Sequence, residues 1–367
     1  MTGVENNTKI MKKLNFALVG CGNITSKKHL PILTNDLKEE INIVAICDIK
    51  EDRSKQLSDQ YNIPFYTDYH QMMREHPEIH VVEVLTESGN HARHTIDLAQ
   101  YGKHIIVEKP MALTLADADK MIETCDKNAC RLFVVKQNRY NLPIQKLKEA
   151  IDQGRFGKIF MGTVRVRWCR RQNYYDHDAW RGTWKMDGGV FASQASHHLD
   201  LLEWLVGDIE SVFAKSINAL ANIEAEDTGT AMLKFTNGAL GMVEATTAVR
   251  PTDIEGSISI LGEKGMVEVS GFAVNEMKIW QFEDKQPDDD EVVQKYRTDP
   301  PNVYGFGHYQ YLKDIVRVIK ENKKALVDGL EGRKSLELIN AIYESIETDK
   351  EVFLHFKPKK CKLGVGD

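Results

Sequence analysis

The chain has no Cys-x-x-Cys pair, no basic excess and no long apolar run, and each absence removes a class of function. Its six cysteines (Cys21, Cys47, Cys125, Cys130, Cys169 and Cys361) are scattered, which suits reduced thiols in a cytoplasm better than a disulfide framework or a zinc site. A formal net charge of −6 argues against a protein held to nucleic acid by phosphate contacts. No stretch approaches the ~20 apolar residues that a membrane span requires. Residues 1–13 lack the apolar run of a signal peptide, so neither export nor a membrane partner is expected. The densest acidic run, Asp288-Asp289-Asp290-Glu291, has no interleaved ligands and reads as a solvated loop; no metal is expected.

What the chain does have is length and rhythm. At 367 residues it exceeds the size at which one core usually stops growing, so two domains are expected. The first half alternates short apolar strands with helical stretches. Phe16-Ala17-Leu18-Val19 runs into Gly20-Cys21-Gly22-Asn23-Ile24-Thr25, then Ile43-Val44-Ala45-Ile46-Cys47 ends in Asp48 before a helix expected over 51–60. Val81-Val82-Glu83-Val84-Leu85 ends in Thr86-Glu87-Ser88-Gly89-Asn90-His91, a helix is expected over 92–101, and Ile105-Ile106-Val107-Glu108-Lys109-Pro110 follows. This order implies an α/β fold with a doubly wound parallel sheet.

Strand, glycine turn and helix in that order describe a dinucleotide site, in which the glycines let the backbone approach a pyrophosphate at a helix start. Thr25 replaces the third glycine of the usual fingerprint. Asp48, 26 residues after Gly22, has the spacing of the acid that holds an adenosine ribose, which favours NAD over NADP. Lys50 and Arg53 nearby would tolerate a 2′-phosphate and leave that choice less sharp, and a helix-capping role for Asp48 remains open. Lys109 stands at the carboxyl end of a strand, where such sheets bind ligands. A helix over 115–128 and the strand Leu132-Phe133-Val134-Val135 lead to Lys136-Gln137-Asn138-Arg139, where the first domain is expected to end.

Beyond residue 140 the pattern changes to alternating strands separated by turns, which implies an α+β domain with an open mixed or antiparallel sheet and an oligomer paired across it. Two clusters stand out there. Tyr174-Tyr175 with Trp180-Arg181-Gly182-Thr183-Trp184 offers rings and a guanidinium to a sugar or phosphate. Asp187-Gly188-Gly189-Val190 leads into a helix carrying His197, His198 and Asp200. The spacing of three puts His197 and Asp200 on one face, where the acid can orient the imidazole. Helices are also expected over 309–321 and 332–348, ahead of a basic tail at 357–362.

Gly20-Cys21-Gly22-Asn23-Ile24, Glu108-Lys109-Pro110, Trp180-Arg181 and Gly188-Gly189 with His197-x-x-Asp200 resemble the glucose-fructose oxidoreductase / inositol dehydrogenase / rhizopine catabolism (Gfo/Idh/MocA) family. The resemblance implies an NAD-binding Rossmann domain at 13–136 and a substrate-binding and oligomerisation domain at 137–367, with residues 1–12 extended or disordered. Within the family, Phe133-Val134-Val135-Lys136-Gln137-Asn138-Arg139, Gln194-Ala195-Ser196-His197, Glu226-Asp227-Thr228-Gly229-Thr230 and Tyr304-Gly305-Phe306-Gly307-His308 are similar to the bacterial UDP-N-acetylglucosaminuronate 3-dehydrogenases of surface-polysaccharide synthesis. That likeness implies NAD as cofactor, a UDP-linked N-acetyl-hexuronate as substrate, 2-oxoglutarate as a candidate reoxidant of bound NADH, and a tetramer. It implies Lys109, His197 and Asp200 as catalytic residues. Cofactor contacts are implied from Gly20, Gly22, Asn23, Ile24, Asp48, Arg53, Thr86, Ser88, Asn90, His91, Glu108, Lys109, Asn138, Trp180 and Arg181. Substrate contacts are implied from Lys109, Tyr174, Tyr175, Ser193, Gln194, His197 and His198. His197 is the first choice of base, with Lys109 as the alternative. Two departures are present: Glu87 stands where a proline is usual, and Ser193 where an Asp or Asn is common. The rival readings are another sugar or inositol dehydrogenase of the family and a non-catalytic nucleotide-sensing regulator.

Overall fold

The computed structural model describes residues 13–298 and 305–354, which form two compact units. The expectations for residues 1–12, Tyr304, Cys361 and the basic tail at 357–362 lie outside the described residues.

The first unit contains a six-stranded parallel sheet. Its strands are β1 (Leu14–Val19), β2 (Ile41–Cys47), β3 (Phe65–Tyr66), β4 (Val81–Val84), β5 (His104–Val107) and β6 (Leu132–Val134), in the order β3-β2-β1-β4-β5-β6. β1, β4 and β5 are buried almost throughout (Phe16, Ala17, Val81, Val82, Ile105 and Ile106 are each 0% exposed), as a parallel sheet covered on both faces requires. The connecting helices are α1 (Glu51–Tyr61), α2 (Tyr69–Glu75), α3 (His91–Ala99) and α4 (Leu115–Lys127). The first crossover is not a regular α-helix: Thr25–His29 and Ile32–Asp36 are π-helical. β3 and α2 were not foreseen, since both are short and carry little periodic signal.

The second unit is built on an eight-stranded mixed sheet. Its strands are β7 (Ile159–Arg167), β8 (Ile209–Ile217), β9 (Thr228–Phe235), β10 (Leu240–Thr246), β11 (Glu255–Gly262), β12 (Gly265–Ser270), β13 (Glu276–Phe282) and β14 (Val352–Phe353), ordered β13-β12-β11-β7-β10-β9-β8-β14. Only β7 and β10 pair in parallel; the other neighbours are antiparallel. The alternation in β9 is direct: Ala231, Leu233 and Phe235 are buried while Met232 is 61% exposed. One face packs on α5 (Leu142–Asp152) and α7 (Ser196–Val206), with Leu199, Leu202, Val164 and Ile260 in a shared core. The short helix α6 is Gln172–Asp176.

The acidic run is not a solvated loop. α8 (Asp289–Lys295) begins there, and the Asp289 carboxylate accepts from Arg155 at 2.9 and 2.7 Å and from the Trp280 indole at 2.7 Å. The charge pattern hid this because both partners come from other elements. α9 (Gly307–Lys320) and α10 (Gly329–Thr348) complete the described helices. Residues 308–330 belong to the first unit and 109–118 to the second, so chain order and compact units do not coincide. Among the described residues, no helix is long and apolar enough to cross a membrane.

Candidate active site

In the first unit, β1 delivers its chain into a turn that only glycine can make. Gly20 has φ +102°, and a Cβ there would lie 2.6 Å from the Leu85 carbonyl carbon and 2.8 Å from the Thr86 nitrogen. In front of Gly22 nothing lies within 4 Å, leaving room for a diphosphate to approach the backbone. Thr25 is buried, and its hydroxyl donates to the Gly20 carbonyl at 2.6 Å. It fastens the turn to the following helix in place of a third glycine. Asp48 Oδ2 accepts from the Cys21 amide at 2.7 Å and Oδ1 from the Lys50 amide at 2.8 Å. α1 begins without a side-chain cap, so Asp48 braces the glycine turn and does not cap that helix.

The loop after β4 places Thr86 and Asn90 part-exposed and Ser88 buried. His91 is 1% exposed, with Nε2 2.9 Å from the Thr86 carbonyl. It is therefore a brace beneath the loop and does not present a ring to a ligand. His94, which the sequence did not single out, lies 2.9 Å from the Thr86 hydroxyl; burial lowers its pKa to about 4.

Glu108 ends this unit in a buried cluster. Nδ1 of His29 is 2.8 Å from Glu83 Oε2, and its Nε2 is 3.0 Å from Glu108 Oε1. Two nitrogens facing two carboxylates must both carry protons, so His29 is an imidazolium. Burial opposes that charge, but Glu83 and Glu108 outweigh it and raise the pKa to about 10. Burial likewise opposes ionisation of Glu108, yet His29 and His308 hold its carboxyl well below the usual range. His29, Glu108 and His308 offer ligand atoms within 4.8 Å of one another. With both ring protons in place, however, His29 has no lone pair for a cation. Glu108 is thus anchored from behind, which its strand-end position alone did not reveal.

Lys109 opens the second unit. Its Nζ donates to the carbonyl oxygen of Ser193 at 2.7 Å. Ser193 lies in a π-helical turn, Val190–Gln194, which widens the spiral just before α7. Four residues on, His197 occupies the first turn of α7, 7% exposed, with its Nε2 2.9 Å from the Gln137 amide nitrogen. An amide nitrogen can only donate, so Nε2 of His197 is an acceptor.

Asp200 does not take the role expected of it. Its carboxylate accepts from Arg139 at 2.7 and 2.8 Å and lies 3.5 Å from Lys136 Nζ. Burial works against ionisation of Asp200, but these two cations lower its pKa on balance. Sharing a helical face with His197 was correct geometry, yet charged partners arrive from Lys136 and the one-turn helix that follows it, Gln137–Tyr140. Sequence reasoning placed the end of the first domain at 136–139 and took Asn138 as a cofactor contact, without assigning Lys136, Gln137 or Arg139. Asn138 is buried within that stretch.

The aromatic cluster is partly assembled as expected. The Arg181 guanidinium lies over Tyr174 and Trp180 at 4.5 and 4.6 Å and donates to the Tyr174 hydroxyl at 2.7 Å. Gln194 donates to the same hydroxyl at 3.1 Å and to the Ser193 hydroxyl at 3.2 Å. Two expected substrate contacts are corrected. Tyr175 is buried, with its hydroxyl 2.8 Å from that of Thr247. His198 is 0% exposed, packed against Trp168 and Gly256, and burial lowers its pKa to about 4. Adjacent residues on a helix face different ways, so only one of the two histidines can be presented.

Residues 14–136 match the oxidoreductase family, NAD-binding Rossmann fold, and residues 148–354 match the C-terminal alpha/beta domain of that oxidoreductase family, Gfo/Idh/MocA. The chain belongs to this family. It is an oxidoreductase with an NAD-binding domain, and the glycine turn has the space that cofactor needs. Its fold is similar to that of the WlbA dehydrogenase from Bordetella pertussis, solved with NADH and UDP-GlcNAcA, at 40% identity over 94% of this chain and 100% of that one, with a TM-score of 0.87. The WlbA dehydrogenase from Chromobacterium violaceum, also solved with NADH and UDP-GlcNAcA, is 39% identical over 95% of this chain and 98% of that one, with a TM-score of 0.88. Myo-inositol 2-dehydrogenase of Thermotoga maritima is 27% identical over 93% of this chain and 98% of its own.

Proposed function

We propose that the chain oxidises the C3 hydroxyl of UDP-N-acetylglucosaminuronate to the 3-keto sugar, with Lys109 and His197 as the groups that handle the alcohol. The observation that carries this reading is the tie between them: the Lys109 ammonium is bonded to Ser193, and His197 follows on the same short segment with an acceptor nitrogen. A donor and an acceptor so joined suit one substrate oxygen. Relatives solved with the same sugar nucleotide support the choice of substrate.

In the reaction, Nε2 of His197 exchanges the Gln137 amide for the substrate hydroxyl and takes its proton, while Lys109 donates a hydrogen bond to the same oxygen and offsets the charge developing there. NAD, when bound, accepts the hydride with its electron pair from the carbinol carbon. The products are ketone, NADH and one proton. Gly20 and Gly22 would admit the diphosphate, with Asp48 bracing the turn from behind. Tyr174, Arg181, Ser193 and Gln194 form a polar, aromatic patch suited to a sugar nucleotide.

Incubating the protein with NAD and UDP-N-acetylglucosaminuronate, with and without 2-oxoglutarate, and detecting the product by mass tests the proposal. The 3-keto sugar is expected, and a second turnover only with 2-oxoglutarate would identify the reoxidant. Oxidation of inositol or free sugars alone would overturn the assignment of substrate. We further expect a homo-oligomer, because the outer face of the eight-stranded sheet exposes Phe160, Met232, Leu240 and Met242, and the resemblance makes that oligomer a tetramer. Light scattering after size exclusion measures this.

A further inference from the structure

Thr86 follows the end of β4 and sits beside the glycine turn: a Cβ on Gly20 would lie 2.8 Å from its nitrogen. Its carbonyl is braced by His91, and the residue is part-exposed. The Thr86 hydroxyl is 2.9 Å from Nδ1 of His94, a side chain that is 7% exposed and takes no part in the chemistry at the alcohol. The direction of that hydrogen bond is decided on the far side of the ring. There Nε2 of His94 is 3.1 Å from a guanidinium nitrogen of Arg93, which also donates to Asn90 Oδ1 at 3.4 Å. A guanidinium has donors only, so Nε2 is the acceptor. Burial, with the charge of Arg93, lowers the pKa of His94 to about 4, and the ring is neutral. A neutral imidazole carries one ring proton, which is therefore on Nδ1 and is given to the Thr86 oxygen. Tyr69 holds the ring from the side, edge to face at 5.3 Å, and is itself fixed by donating to Asp97 at 2.8 Å. With its oxygen accepting from His94, the Thr86 hydroxyl keeps its own proton, and none of the described residues takes it.

We propose that Arg93 and His94 are positioning residues for the cofactor: Arg93 fixes the Nδ1–H tautomer of His94, and His94 thereby commits the Thr86 hydroxyl to donate to an oxygen of NAD at the glycine turn. The other tautomer has the reverse effect. Its bare Nδ1 would take the Thr86 proton, and a hydroxyl so engaged turns only lone pairs toward an anionic diphosphate. The inference rests on the NAD-binding domain and is independent of which sugar is oxidised.

Two measurements on the full-length protein test it. With isotope-labelled histidine nitrogens, NMR of the wild type at neutral pH should find the His94 proton on Nδ1, the signal being assigned by its loss in H94N. A proton on Nε2, or on both nitrogens, overturns the proposal. In fluorescence titrations with NADH, T86V and H94L should each weaken binding about tenfold, the worth of one hydrogen bond to a charged acceptor. T86V/H94L should bind no worse than T86V, because His94 acts through Thr86, and H94N, whose amide supplies a donor, should bind close to wild type. Losses that multiply in the double variant, or wild-type affinity in H94L, overturn the proposal. Should H94L fail to fold, the exposed Arg93 decides. In R93M the His94 proton should be shared between both nitrogens and NADH should bind more weakly; an unchanged tautomer overturns the proposal. A wrong choice of sugar is seen separately, as protein that binds NADH in this pattern and oxidises no sugar nucleotide.

Discussion

Nζ of Lys109 donates to the carbonyl of Ser193 at 2.7 Å, across 84 residues of chain. Both residues lie in the second unit, and the bond ties the ammonium to the turn that starts the His197 helix. Neither residue is remarkable for its type. Their shared anchoring is what makes a chemical pair.

Removing either member should therefore affect chemistry more than binding. Lys109→Ala and His197→Asn are each expected to lower kcat by about 10²–10⁴-fold, the usual contribution of positioned proton transfer. NAD affinity, followed by NADH fluorescence, should stay within a few-fold. Wild-type rates in both variants would remove them from the mechanism.

Asp200 is predicted to matter for folding first. Its carboxylate neutralises Arg139 and Lys136, all three side chains being 3% exposed or less. Asp200→Asn leaves two buried cations without their acid, at a cost of about 3–5 kcal/mol. Urea unfolding should show the loss whether or not substrate is present. A variant of unchanged stability and reduced kcat would instead restore the role of orienting His197.

The His29 cluster gives stability a pH dependence of definite sign. The folded pKa is raised to about 10 from an ordinary value of 6.5. Its contribution is therefore full below about pH 6.5 and declines as pH rises, being lost through about pH 10. His29→Gln should destabilise the protein by about 3–5 kcal/mol at neutral pH, and the gap from wild type should narrow toward pH 10. Thermal melts of both proteins at several pH values test this; a gap that widens with pH contradicts it.

The two glycines of the turn should behave differently. At Gly20 an added Cβ meets backbone at 2.6 Å with φ at +102°, so Gly20→Ala is expected to disturb the fold. At Gly22 nothing lies within 4 Å, so Gly22→Ala should melt like wild type while binding NAD more weakly. Calorimetry and NAD titration of the two variants separate these effects.

The sequence by itself determined the parallel first sheet, the mixed second sheet and the glycine turn, and it proposed Lys109 and His197 as the chemical pair. These are legible because periodicity and strand-end position are local properties, set within a few residues. β13, β14 and the α8 helix were not foreseen: α8 is held by Arg155 and Trp280 from elsewhere in the chain, and the two strands by pairing with β12 and β8. Only the tertiary structure decided that Asp200 serves Arg139 and Lys136, that Gln137 holds His197, that His198 and Tyr175 turn into the core, and that His29 backs Glu108. A side chain's role depends on which charges and donors reach it once water is excluded, and those come from remote segments that no local pattern specifies.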